Sequence, residues 1–76
     1  RFIVARRGTA LFDQVIDSLV EFNQLWASKA SALVVAIAET ESEDGKAISH
    51  AVYDLGQAVA HFSVQAHHEG LLVHQM

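Results

Sequence analysis

Ala32, Leu33, Val34, Val35, Ala36, Ile37 and Ala38 form the longest apolar stretch of the chain, with no alternation of apolar and polar residues. A strand with one wet face alternates, whereas a strand covered on both faces reads as an unbroken apolar run. The stretch therefore predicts a central strand. It is also far shorter than the roughly 20 residues needed to cross a bilayer, so the same residues argue against a membrane partner.

Upstream, residues 2–5 have the aromatic and β-branched content of a strand, and Gly8 breaks the run after Arg6 and Arg7. Thr9 suits a helix N-cap, and Leu11, Phe12, Val15, Ile16, Leu19 and Val20 recur at the spacing of one helical face. These signals predict a helix from residue 10 to about 21. A break or second short helix should follow, carrying Asn23, Gln24, Leu25 and Trp26 towards Lys29.

Downstream, residues 39–45 are acidic and hydroxyl-rich and predict a solvated loop that tolerates changes in length. Ile48, Val52, Leu55, Val59, Phe62 and Ala66 then step by three or four residues, predicting a long helix over residues 46–69. Such a helix would be about 36 Å long. Gly70 stands where a C-cap glycine belongs, and residues 71–73 resume a strand-like pattern. The order strand, helix, strand, long helix, strand implies an α/β (α+β) fold, with helices packed on a mixed sheet that these residues leave incomplete. The chain opens at Arg1 directly into an apolar run and stops at Met76 inside another. Residues 1–76 thus read as the central part of a single larger domain, truncated at both ends.

Composition narrows the function classes. At 76 residues, 51% hydrophobic and 18% charged, the chain has the apolar content of a packed core and not of a disordered segment. The net charge of -4 supplies no clustered basic face for nucleic acid. The absence of cysteine excludes disulfides and thiolate metal sites and fits a reducing compartment, the cytoplasm.

Five histidines invite a metal hypothesis. Two helical ligands converge on one ion when they stand three or four residues apart. On the expected helix His50, His61 and His68 share a face, but about 16 Å and about 10 Å would separate successive pairs at 1.5 Å per residue. Together with Asp54, Gln57 and Gln65 they read as a polar helix face, and His67 beside His68 as a solvated helix end. No nucleophile elbow, phosphate-binding glycine loop or dinucleotide fingerprint occurs. Arg1, Arg6 and Arg7 read as solvated edge charges, with a phosphate site as the lesser reading. Gly56, inside the long helix, costs about 1 kcal/mol relative to alanine, which close packing of another helix would offset.

Several segments taken together resemble the FMN-dependent nitroreductase family. Arg1, Phe2, Ile3 and Val4 are followed by Asn23 and Trp26, an N-x-x-W arrangement just ahead of the apolar strand. Tyr53, Asp54, Leu55, Gly56 and Ala58, then Ala66, Gly70 and Leu71, are similar to that family's long helix and the strand start after it. His74, Gln75 and Met76 match the next strand, ahead of the family's glycine-containing flavin turn. The resemblance covers essentially the whole chain and rests on the order and spacing of its motifs. Departures from the family are His61, where the long helix often carries asparagine, and Ser31, where an alanine-proline pair commonly precedes the strand.

The resemblance implies a homodimer with one FMN at each interface, reduced by NADH or NADPH and reoxidised by a nitroaromatic, quinone or similar small-molecule acceptor. It implies that Asn23 hydrogen-bonds the flavin and that Gln75 and Met76 approach the ring mainly through backbone, while Asp54, Gly56 and Ala58 serve helix packing at the dimer core. Flavin chemistry belongs to the cofactor, so no catalytic acid, base or nucleophile and no metal ligand is expected from the protein. The alternative is a non-enzymatic α/β dimerisation or interaction module built on the long helix; a metal sensor using the histidines is a third reading. The residues that the family uses to hold the FMN phosphate have no counterpart in residues 1–76. The isolated 76-residue chain is therefore expected not to retain FMN, and fluorescence titration should show no saturable quenching at low micromolar flavin.

Overall fold

The computed structural model describes residues 1–76 as β1 (Phe2–Arg6), α1 (Ala10–Ser18), α2 (Glu21–Ala27), β2 (Ala32–Ala36) and α3 (Ala51–His68). This is a mixed α+β fold, as the order of sequence patterns implies. The chain divides into two compact units, Phe2–Val35 and Ala36–Met76, the second also taking in Arg1.

In the first unit β1 and β2 pair directly as a two-stranded sheet. The register is antiparallel: Arg1 and Ile37 exchange hydrogen bonds of 2.8 and 2.9 Å, and the Arg7 amide donates to the Ser31 carbonyl at 3.0 Å. Ala5 consequently stands opposite Leu33, and Ile3 opposite Val35. Ala5 and Leu33 form the core with Phe12 of α1 and Ala27 of α2, and Val15, Ile16, Leu19, Trp26 and Ala30 pack around them.

The expected two-sided cover of the second strand is realised on one face only. Leu33 is buried and Val35 half-buried, but Val34 on the opposite face is exposed, as are Phe2 and Val4 on β1. An unbroken apolar run specifies that both faces can be covered; within this chain α1 and α2 supply cover for one. The mixed sheet expected from the order of elements is correspondingly reduced to two antiparallel strands.

Thr9 caps α1 as expected, its hydroxyl oxygen accepting from the Phe12 amide at 3.3 Å while the hydroxyl donates to the Arg6 carbonyl at 2.7 Å. Gly8 supplies the left-handed turn before it, with φ of 90°. The helix ends at Ser18 and not near residue 21. The Ser18 hydroxyl donates to the Val15 carbonyl, and the Gln24 side chain donates to the Leu19 carbonyl at 2.8 Å. These bonds satisfy carbonyls that a longer helix would have used. Leu19 and Val20 keep the apolar period but lie in extended backbone, at ψ of 156° and 146°.

In the second unit, residues 39–47 form a small hairpin-like turn with an antiparallel bridge between Glu41 and Ala47. The turn occupies part of the segment expected as helix. Ser42 bonds both the backbone and the side chain of this turn, so helix starts only at Ala51, with His50 as its N-cap residue. α3 therefore spans 18 residues, about 27 Å, and Ile48 falls outside its apolar stripe. The covered stripe of α3 runs through Ala51, Leu55, Val59, Ser63 and Ala66, while Val52 and Phe62 are exposed.

The C-terminal end of α3 follows the glycine expectation closely. Gly70 adopts φ of 80°, its amide donates to the His67 carbonyl, and the Leu71 amide reaches back to the Ala66 carbonyl at 2.9 Å. This is the double bond pattern of a Schellman cap. The strand expected at residues 71–73 does not form: residues 71–76 lie outside any strand, because no neighbouring backbone ladder is offered to them. Gly56 faces open space, with no neighbouring heavy atom within 4 Å of where a β-carbon would stand, so the close helix packing expected there is not made within the chain.

Thr9→Ala should lower stability by about 1 kcal/mol through loss of the cap. Phe22→Ala should stay within about 0.5 kcal/mol, since Phe22 is 74% exposed. Urea unfolding with unchanged slope is the measurement that separates the two.

Candidate functional site

Asn23 sits in the first turn of α2, half-buried, beside a helix start that carries no side-chain cap. The N-cap residue is Val20, and its carbonyl accepts from the Asn23 and Gln24 amides at 2.8 and 3.1 Å. The capping role that an asparagine near this break would naturally take is absent. Gln24 closes the end of α1 instead, which leaves the Asn23 side-chain amide uncommitted to helix termini.

Phe22 and Leu25, the apolar neighbours of Asn23, do not pin this segment to the core. They are 74% and 68% exposed. Ala27 is fully buried and Trp26 half-buried, so α2 is held by its C-terminal turn. With only seven residues, about two turns, the helix presents apolar residues on more sides than the small core can receive.

Gln75 and Met76 belong to the second unit, Asn23 to the first. The Gln75 side-chain nitrogen donates to the Ser63 hydroxyl oxygen at 2.9 Å, and that hydroxyl donates to the Val59 carbonyl at 2.8 Å. The Gln75 side chain is therefore engaged by α3. Met76 is 63% exposed.

Along α3 an open groove of about 460 Å³ is lined by Ala58, His61, Phe62, Gln65, Ala66, Glu69 and Leu71. Its size falls in the range of small-molecule sites, about 300 to 1,000 Å³. The Gln65 side chain donates to Glu69 at 2.8 Å, so those two polar groups satisfy one another. No group of three or more histidine, aspartate or glutamate side chains is placed to hold a metal ion. His50 lies at the helix start and not on the shared face assumed for the histidine stripe.

Two of the three arginines, Arg1 and Arg7, make bonds within the fold. Arg7 donates to the Lys29 carbonyl at 2.9 Å, holding the chain beyond α2, and Arg1 pairs with Glu39 at 3.1 Å. The latter pair is well exposed and is worth about 0 to 1 kcal/mol. The functions of Gln24, Arg7 and Ser63 were not legible from spacing. Only Ser63 left a signal, as a hydroxyl inside an otherwise apolar helical stripe.

The chain matches an uncharacterized 15.4 kDa protein in the ask 5' region of Mycolicibacterium smegmatis, at 34% identity over 83 residues. The match covers 100% of this chain and 56% of that relative, so the chain spans little more than half of the relative's length. No protein-family model matches the sequence, and no solved structure matches it. No helix is long and apolar enough to cross a membrane.

Among the carboxylates Asp44 is held below the usual carboxylate range, first by the Ser42 hydroxyl hydrogen bond and then by Lys46, whose ammonium lies at 3.1 Å. A depressed carboxylate stabilises the fold above its ordinary titration range and loses that effect as pH falls through the folded value. NMR titration of the Asp44 side chain should therefore give a midpoint below that of an unstructured aspartate. Ser42→Ala should move it upward, towards the ordinary value.

Proposed function

We propose that this chain is part of an FMN-dependent NAD(P)H oxidoreductase of the nitroreductase type, working as a cytoplasmic homodimer. The observation that carries the reading is the state of Asn23, a half-buried residue whose side-chain amide neither caps α2 nor closes α1. An amide both donates and accepts, which suits the carbonyl oxygens and ring N–H at a flavin edge. Such ring-edge groups need partners where water is excluded. Support also comes from Gln75, whose side chain is bound to α3 and whose backbone remains as the part able to face a ring.

Bound FMN would supply the electron transfer from NADH or NADPH to a nitroaromatic, quinone or similar acceptor. In this reading the protein's own residues bind, orient and exclude water. Asn23 would offer its side-chain amide to a ring edge, and Gln75 and Met76 would offer backbone, each from its own unit. None of the histidines is assigned a proton or a metal.

A second reading, a non-enzymatic interaction module, is favoured by the exposed apolar residues of the helices. On the long helix α3, Val52, Tyr53 and Val64 are 68 to 70% exposed, and apolar side chains left exposed are what another chain would cover. Flavin absorbance in the purified full-length protein separates the readings, since an interaction module would be colourless.

Asn23→Ala in the full-length protein tests the assigned role. Losing one hydrogen bond to buried flavin should weaken FMN by roughly 1 to 3 kcal/mol, about five- to 150-fold. Because Asn23 caps nothing, the melting temperature of the apoprotein should stay close to wild type. A lowered apoprotein melting temperature with an unchanged flavin dissociation constant would reverse the assignment.

A further inference from the structure

Ser63 is a polar residue on the covered stripe of α3, between Val59 and Ala66. A serine inside a helix competes with the backbone for hydrogen bonds, and alanine would be the better helix former. Its hydroxyl is used twice: it donates to the Val59 carbonyl and accepts from the Gln75 side chain. Gly70 reverses the chain, and the Leu71 amide is fixed to the Ala66 carbonyl at 2.9 Å. The segment after the helix is thus tied at both ends, to Ala66 at its start and to Ser63 near its finish, and it doubles back beside α3.

We infer that Ser63 is a positioning residue for cofactor binding, fixing Gln75 against α3 so that the backbone at Gln75 and Met76 meets the flavin in one orientation. This rests on the proposed flavin role of those two residues. A hydroxyl on the helix gives the segment after α3 a fixed attachment, and that segment becomes a held edge. Side-chain capture of Gln75 also explains why its backbone, and not its side-chain amide, is what remains for a ligand.

The test uses the full-length protein with Ser63→Ala and the hydroxyl-retaining Ser63→Thr. Alanine suits a helix interior, so the first variant should fold. Ser63→Ala should weaken FMN about three- to tenfold, the range expected for one hydrogen bond, and should alter the visible circular dichroism of bound flavin. Ser63→Thr should restore both. In the apoprotein, proton exchange of the Gln75 side-chain amide, followed by NMR, should speed up in Ser63→Ala and return towards wild type in Ser63→Thr. Unchanged exchange in Ser63→Ala would overturn the inference. So would faster exchange with unaltered FMN affinity and flavin dichroism, leaving the flavin reading itself intact. A wild-type protein that binds no FMN would overturn the flavin reading and, with it, the role given to Ser63.

Discussion

The pairing of Ala5 with Leu33 is the constraint on which the first unit depends. Antiparallel registration of β1 and β2 places these two residues opposite each other, and Phe12 and Ala27 seal them from the helix side. A one-residue slip would turn the whole apolar set of one strand to the other face. Two of the four core residues are alanines, so the strands and helices approach closely and a larger side chain at Ala5 or Ala27 would force them apart. Gly8, Thr9 and Gln24 are subordinate to that closure: they turn the chain, start α1 and finish it at the length that lets α2 return to the same small core.

What the sequence made legible follows from whether the signal is local. Thr9 and Gly70 act through bonds to residues within four positions, and the structure places both as their residue types dictate. The apolar periods found α1 and the body of α3 for the same reason, and the second short helix expected after α1 forms as α2. Periodicity failed where a local hydrogen bond overrode it. Leu19 and Val20 continue the helical face, yet the Ser18 and Gln24 side chains end the helix before them. Ile48 fits the stripe of α3, yet its amide bonds the Thr40 carbonyl at 2.8 Å in the preceding turn. The strand pattern at residues 71–73 needed a pairing partner, which is a long-range condition that no local pattern encodes. Of the candidate site residues, Asn23 was singled out by its place in the N-x-x-W arrangement, and its apolar neighbours Phe22 and Leu25 are exposed; the partner of Gln75 became visible only in the fold.

Several polar side chains in this chain are committed to backbone. Gln24 serves Leu19, Arg7 serves Lys29, and Ser63 serves Val59 while receiving Gln75. Each closes a carbonyl or a chain reversal that would otherwise need water. Asn23 differs from them in being half-buried without such a duty, and that contrast, more than its neighbourhood, makes it the side chain on which the proposed cofactor role rests.

The two-stranded sheet has a further consequence for behaviour at high concentration. β1 and β2 each keep an outer edge without a strand partner, and Phe2, Val4 and Val34 leave one face apolar. Open edges with apolar side chains are templates for intermolecular pairing. Arg1, Arg6 and Arg7 bracket β1 as gatekeepers, since stacking identical copies would bring like charges together. That protection is electrostatic and is screened over about 10 Å at 0.1 M salt. Colloidal stability of the isolated chain is thus tied to ionic strength: dilute buffer preserves the repulsion between edges, and concentrated salt exposes the apolar template beneath it.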